Sequence, residues 1–193
     1  MVKIRRIGTD RARNSQAGLT LLEVMIAGMV LMVGLLVGVL PMISYGISTM
    51  KTTDEETIAK QQARETVESI YGARDTTELG WDSINPTSVC TTSGTTTVCG
   101  VFLTGPQSLY GSGADGIVGT ADDAASGIQT VTLASGQTRT LSEFTRTITI
   151  GNYTNPDGTI SPALRTLEVD VTYPTGNGQT RTYTINGLIS QYK

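Results

Sequence analysis

The chain has 193 residues, a formal net charge of −3, two Cys and no His. It contains no G-x-S-x-G nucleophile elbow, no P-loop and no credible pair of catalytic carboxylates, so we expect no enzymatic activity. An acidic chain whose Arg residues are scattered beyond its first residues offers no electrostatic surface for nucleic acid. We therefore expect no direct nucleic-acid binding.

A basic leader precedes a long apolar run. Residues 24–50 contain no Asp, Glu, Lys or Arg. As a helix they would reach about 40 Å, which exceeds the roughly 30 Å of a bilayer core. Secretory signal peptides have apolar regions of only about 7 to 15 residues, so we predict a membrane-spanning segment over residues 19–50 instead. The basic residues of the leader predict a cytoplasmic N-terminus and a periplasmic head. They are Lys3, Arg5, Arg6, Arg11 and Arg13, against Asp10.

One carboxylate, Glu23, lies at the start of this apolar run. An acid inside a membrane helix costs about 2.5 to 3.5 kcal/mol on insertion scales, so it requires a partner. If the chain is cut after Gly18, the new amino group of Leu19 is able to pair with Glu23 of a neighbouring copy. A plain signal anchor has the same length and basic flank, but it gives Glu23 no purpose.

The leader that ends in Gly18 and is followed by LTLLEVMIAG resembles the processing and methylation segment of type IV pilins and type II secretion pseudopilins. The resemblance covers residues 1 to about 50. It implies that a prepilin peptidase removes the leader after Gly18 and methylates Leu19, and that Glu23 aligns one subunit's helix with the next. Leu19 stands where the family usually has Phe, but methylation acts on the backbone amine. The implied partners are other pilin or pseudopilin subunits, the peptidase, an inner-membrane assembly platform and, before assembly, membrane lipid.

The helix is expected to continue beyond the membrane. Pro41 removes one helical hydrogen bond and predicts a kink or local unwinding within the apolar run. Residues 51–72 carry an apolar stripe at helical spacing, formed by Ala59, Ala63, Val67 and Ile70. Gly72 is predicted to end the helix. One helix over residues 19–72 therefore has a spanning half and an amphipathic half that packs on a globular head.

The two Cys flank a Thr-rich segment with a turn at Gly94-Thr95. If these two turn residues form a type II′ loop, Cys90 lies opposite Cys99, at about 4.5 to 5.5 Å. That spacing suits a disulfide, and an exported head meets oxidising conditions. Two thiols without His are too few for structural zinc, and a redox pair would more usually be C-x-x-C. We predict a Cys90–Cys99 disulfide.

Residues 113–123 combine glycines with three carboxylates, Asp115, Asp122 and Asp123. Clustered carboxylates and carbonyl-exposing glycines suit a hard cation such as Ca²⁺, although the segment does not match the EF-hand pattern. It resembles the calcium loop of some pseudopilin heads. Asp and Gly also form turns in which the Asp side chain caps backbone amides. Both interpretations stay open, and calcium is the one cofactor that the sequence suggests.

The C-terminal third predicts β-strands. Residues 144–150 are Thr-rich and β-branched, and apolar residues alternate with polar ones at 167–173 and at 182–185. We predict an antiparallel meander of at least three strands, one face of which the amphipathic helix covers. The predicted fold class is α+β and pilin-like, with a long N-terminal helix packed on a β-meander head.

The predicted organisation is a leader over residues 1–18, a helix over 19–72 and a β-rich head over 73–193. Many major pilins have their disulfide near the C-terminus, so a disulfide early in the head favours a minor pilin or a pseudopilin. The strands resemble those of V-type minor pilins. The predicted function is that of a structural subunit of a type IV pilus or pseudopilus, held in the inner membrane before it joins a surface pilus or a periplasmic pseudopilus. The alternative is a signal-anchored periplasmic binding or adhesion domain.

Overall fold

The computed structural model describes residues 20–133 and 136–192. Helix α1 (Leu21–Asp75) comes first, and short 3-10 turns follow at Trp81–Ser83 and Asp123–Ser126. The strands in chain order are β1 (Cys90–Ser93), β2 (Thr96–Cys99), β3 (Gln107–Ser108), β4 (Thr130–Thr132), β5 (Thr138–Thr140), β6 (Thr145–Thr154), β7 (Ile160–Pro174) and β8 (Thr180–Ser190). The chain forms two compact units, one that ends at Tyr45 and one that begins at Gly46.

In the first unit, α1 exposes every side chain of residues 21–45. The most apolar 18-residue window of α1 has a mean hydropathy of 2.5, and none of that window is buried. This part of the helix is therefore long and apolar enough to cross a membrane. The helix continues through Pro41 without interruption, so the local unwinding expected there is absent from the described helix.

The second unit contains an antiparallel sheet with the strand order β3-β6-β7-β8. Strands β6, β7 and β8 follow one another as a meander. Successive side chains of a strand point to opposite faces, and the apolar set of these strands is buried on one face. That set includes Ile148, Ile150, Leu167, Val169, Val171 and Ile189. The predicted α+β class and the predicted meander are confirmed.

Residues 46–75 of α1 belong to this second unit and share its core. Ala59, Ala63 and Ile70 are completely buried, and Val67 packs against the same cluster. The predicted apolar stripe is therefore confirmed. Burying a side chain such as Ile70 contributes about 1.5 to 3 kcal/mol to stability, so the amphipathic half of the helix is an integral part of the head.

The helix ends at Asp75, three residues beyond the Gly72 that was expected to end it. Gly72 stays helical because its carbonyl oxygen accepts hydrogen bonds from the backbone N–H and the hydroxyl of Thr76, both at 2.9 Å. The chain then reverses at Thr77, whose φ is 61°. The Leu79 N–H closes the terminus on the carbonyl oxygen of Ala73 at 3.1 Å. The helix thus ends where the Thr76 side chain caps it, and not at Gly72 as expected.

The segment after the helix is held to β7 by Arg165. The guanidinium of this buried residue donates to the backbone carbonyl oxygens of Trp81 and Ile84. It also lies 4.1 Å from the centre of the Trp81 ring, a cation–π contact. Ile84 is fully buried and Trp81 is partly buried against the core, so both residues anchor the irregular start of the head.

Candidate functional site

Three positions carry the predicted processing and assembly site, and the structure describes one of them. Gly18 and Leu19 lie outside the described residues. Glu23 lies in the first turn of α1. Its neighbours Leu22 and Val24 are exposed by 68% and 56%, so the carboxylate sits on an otherwise apolar surface.

The N-terminus of α1 also gives Glu23 a local structural setting. The Thr20 hydroxyl oxygen accepts a hydrogen bond from the Glu23 N–H at 3.3 Å. This is the spacing of a capping box, in which Thr is the N-cap and Glu lies three residues later. An acid in the first turn also interacts favourably with the helix dipole. The sequence interpretation overlooked this role, although the T-x-x-E pattern could have revealed it.

The two Cys form the predicted disulfide, with an S–S distance of 2.05 Å. They face each other across the β1–β2 hairpin, in which Ser93 pairs with Thr96 around Gly94-Thr95. Gly94 has a φ of 63°, as the first turn residue of a type II′ loop requires. The pairing and register predicted from the sequence are confirmed. The residues of both strands are exposed or partly exposed, and none of them is buried.

The structure brings Asp115, Asp122 and Asp123 together, with one carboxylate oxygen of each lying within 4.8 Å of the others. Most of the oxygens already accept hydrogen bonds from the loop. Asp123 accepts from the N–H groups of Gly113 (3.1 Å) and Gly119 (2.6 Å). Asp122 accepts from the Asp115 N–H (3.2 Å) and the Thr120 hydroxyl (2.6 Å). These carboxylates therefore cap the turns of their own loop.

A buried arginine completes this cluster. Arg146 on β6 is 2% exposed and lies 3.3 Å from Oδ2 of Asp123, which is 3% exposed. The same guanidinium donates to the Thr66 hydroxyl of α1 at 3.4 Å. Removal from water raises the pKa of Asp123 and lowers that of Arg146, while their mutual attraction opposes both shifts. One side chain thus links the acidic loop, the sheet and the helix.

The donor set fits Ca²⁺ only in part. Asp115 is exposed, but Arg146 already supplies a positive charge at Asp123, and the amides of the loop occupy oxygens that a cation would need. The hydrogen bonds favour the turn-capping interpretation, and calcium binding stays a prediction. Arg146 was missed from the sequence, although its inward position follows from the alternation with Ile148 and Ile150 on β6.

A second buried charge, also missed, lies on α1. Glu55 is completely buried and forms an ion pair with Arg139 of β5. Arg139 reaches Glu143 as well, at 3.7 Å. This contact fastens the β4–β5 hairpin to the helix. In the part of the chain that the structure describes, Oε2 of Glu55 and Oε1 of Gln62 are buried acceptors without a hydrogen-bond donor.

No protein-family model matches this chain, and no curated protein or solved structure shows detectable similarity to it.

Proposed function

We propose that this chain is a structural subunit of a type IV pilus or pseudopilus. In this proposal a prepilin peptidase cuts the precursor after Gly18 and methylates Leu19, and the subunit then joins a filament through its apolar helix. The observation that carries the proposal is the first unit of the structure. It exposes an uninterrupted apolar helix over residues 21–45, in which Glu23 is the one residue among Asp, Glu, Lys and Arg.

The exposed apolar side chains of this helix require apolar surroundings instead of water. Before assembly membrane lipid surrounds them, and after assembly the helices of neighbouring subunits do. Lipid is as apolar as these side chains, so helix packing and polar pairing must favour the assembled state. The polar pair in this proposal joins the Glu23 carboxylate of one subunit to the Leu19 amine of the next, which offsets the cost of an acid in an apolar environment.

The head fits the proposed topology. The basic leader favours a cytoplasmic N-terminus, which places residues 46–193 on the periplasmic side. The Cys90–Cys99 disulfide is compatible with that oxidising compartment. Its early position in the head favours a minor pilin or a pseudopilin over the main structural subunit.

Mass spectrometry of the mature protein tests the processing step. The expected result is a chain that begins with N-methyl-Leu19. A chain that retains Met1 to Gly18 would contradict the proposal and would instead indicate a signal-anchored binding or adhesion domain. Fractionation tests the assembly step, because a filament subunit is expected in material sheared from the cell surface or in periplasmic fibres. A tethered domain stays in the membrane fraction.

A further inference from the structure

Strand β8 forms an open edge of the four-stranded sheet. Its strand partner among the described residues is β7, on one side. At the end of β8 the outward carbonyl oxygens are covered by α1. Leu188 accepts from the Tyr71 hydroxyl at 2.9 Å, and Ser190 accepts from Arg74 at 3.2 Å. In an antiparallel strand every second residue points its N–H and C=O to the same side. The outward set therefore also includes Thr182, Thr184 and Asn186.

These three residues leave their outward backbone groups open. Within residues 20–133 and 136–192, no backbone or side-chain group hydrogen bonds to them on that side. Natural sheet edges are commonly protected by Lys, Pro or a bulge. This stretch has none of the three, its pairing with β7 is regular, and Thr182, Thr184 and Asn186 are all exposed. Alternating donors and acceptors of this kind fit one ligand chemistry, an extended polypeptide strand.

The head also carries an exposed strand that is free to pair. The hairpin of β1 and β2 has no buried residue, and residues 90–99 contain no charged side chain and no Pro. A two-stranded hairpin is marginally stable in water, so the disulfide and the Thr92–Thr97 hydroxyl contact (3.0 Å) preserve its shape without support from the core. The β4–β5 hairpin differs, because the Arg139–Glu55 ion pair ties it to its own helix.

We propose that the open edge of β8 at residues 182–186 receives strand β1 of a second copy of this chain. Both edges are uncharged and Thr-rich, so their approach places no like charges opposite each other. Because the two surfaces differ, each copy uses one to bind the copy before it and the other to bind the copy after it. Such a head-to-tail contact does not close into a symmetric dimer, and it continues as an open series when the rotation between successive copies does not close a ring.

This inference rests on the proposed function. A strand pairing of three or four residues forms few hydrogen bonds, so it requires the heads to be held side by side. Packing of the apolar helices in a filament provides that high local concentration. In turn, the strand pairing would fix the rotation of each head relative to its neighbour.

Photo-crosslinking in the full-length chain tests the contact. The photoreactive amino acid p-benzoylphenylalanine replaces Thr184 on the open edge, and sheared filaments are irradiated. We expect a crosslinked dimer whose second peptide maps to residues 90–99. The control places the same group at Thr172, on the same face of the sheet but on β7, whose backbone is paired on both sides. That position is expected to give little dimer through the hairpin.

A proline variant provides the second measurement. Asn186→Pro removes one outward N–H while the ladder to β7 is kept, because proline is tolerated where the strand N–H faces away from its neighbour. Asn186→Ala is the matched control, since it keeps the N–H. We expect the Thr184 crosslink to fall about tenfold in Asn186→Pro, a loss equivalent to about 1.4 kcal/mol, and to be unchanged in Asn186→Ala.

Three other results would overturn the strand pairing. If wild-type filaments form but the Thr184 crosslinks map outside residues 90–99, the pairing is wrong and the proposed filament function stands. The same conclusion follows if Asn186→Pro and Asn186→Ala crosslink equally. If the wild-type chain is processed but never assembles, both the pairing and the proposed function are overturned.

Discussion

Glu23 combines a position in the first turn of α1 with a proposed assembly role, and a substitution that changes only its charge separates the two. Its backbone N–H donates to the Thr20 hydroxyl, a hydrogen bond that any residue except Pro keeps. Pairing with the amine of a neighbouring chain, in contrast, requires the negative charge. Replacement by Gln therefore preserves the helix start and removes the ion pair.

We predict that Glu23→Gln is inserted and cleaved normally but enters filaments poorly. Glu23→Ala, which removes the charge but keeps the backbone N–H that donates to Thr20, should show the same assembly defect. The measurement is the fraction of mature protein in sheared filaments, compared with the fraction left in membranes. Normal incorporation of Glu23→Gln would show that filament assembly does not require the negative charge of Glu23.

Arg146 is the most buried cation of the described head. Removal of one partner of a buried ion pair leaves the other charged and without compensation, which costs about 3 to 5 kcal/mol. We therefore predict that Arg146→Met strongly lowers the free energy of unfolding of the detergent-solubilised chain. Arg181→Met, at an exposed position of β8, is the control and should change it by less than about 0.5 kcal/mol.

A double-mutant cycle checks that the loss comes from the pair. The double variant Asp123→Asn/Arg146→Met should be more stable than the sum of the two single variants indicates, by about 1 kcal/mol or more. Strict additivity would mean that Arg146 acts through its contact with Thr66 and its packing, and not through Asp123.

The carboxylate of Asp122 should make the stability of the folded head depend on pH. The Thr120 hydroxyl is the main cause that lowers the pKa of Asp122, and the Asp115 amide adds to it. The folded pKa thus lies below the unfolded value of about 3.9. The contribution of Asp122 to stability is therefore present above the unfolded pKa and is lost as the pH falls through the folded pKa.

We expect Asp122→Asn to melt at a lower temperature than the wild type near pH 7. The difference between the two melting temperatures should become smaller below about pH 3.9. Thermal melts in detergent, one series near pH 7 and one below about pH 3.9, test this. The same melts with Ca²⁺ and with a chelator test the calcium prediction, because an ion that binds only the folded state raises the midpoint. An unchanged wild-type midpoint would remove calcium from this loop.

Among the secondary-structure elements, the β1–β2 hairpin is stabilised by its crosslink more than by packing. The short loop that the disulfide closes gives an expected stabilisation of about 2 to 3 kcal/mol, and the exposure of both strands makes that effect local. We predict that Cys90→Ser/Cys99→Ser exposes the amides of residues 90–99 to rapid hydrogen exchange while β6, β7 and β8 stay protected. Loss of protection in the central sheet would show that the hairpin supports the core.

The long helix, the meander and the disulfide hairpin could be predicted because each has a strong local pattern. The helix shows apolar residues at helical spacing, such as Ala59 and Ala63, and the meander shows alternation over residues 167–173. The hairpin has a two-residue turn at Gly94-Thr95. Strands β3, β4 and β5 have only two or three residues each, so they show no periodicity. Their positions depend on tertiary contacts such as the Arg139–Glu55 ion pair, which a local pattern does not contain. For the same reason, the sequence grouped the three Asp residues but did not reveal that Arg146 neutralises one of them.

For the molecule as a whole, the boundary between its two units falls within a continuous helix. Residues 46–75 of α1 contribute Ile58, Ala59 and Ile70 to the core of the head. Near the start of this segment, the Gly176 N–H of the β7–β8 turn donates to the Thr52 hydroxyl at 3.0 Å. The head therefore requires the second part of the helix.

We predict that a fragment of residues 46–193 is soluble without detergent, folds and forms the Cys90–Cys99 disulfide. A fragment of residues 77–193 lacks the helix and is expected to aggregate, because the inner face of the sheet then meets water. Circular dichroism, gel filtration and a thiol assay distinguish the two fragments. If the shorter fragment folded as well as the longer one, the helix would be a tether and not part of the core. If both failed, residues 46–193 would not be sufficient to form the head, and the prediction that this unit folds by itself would be wrong.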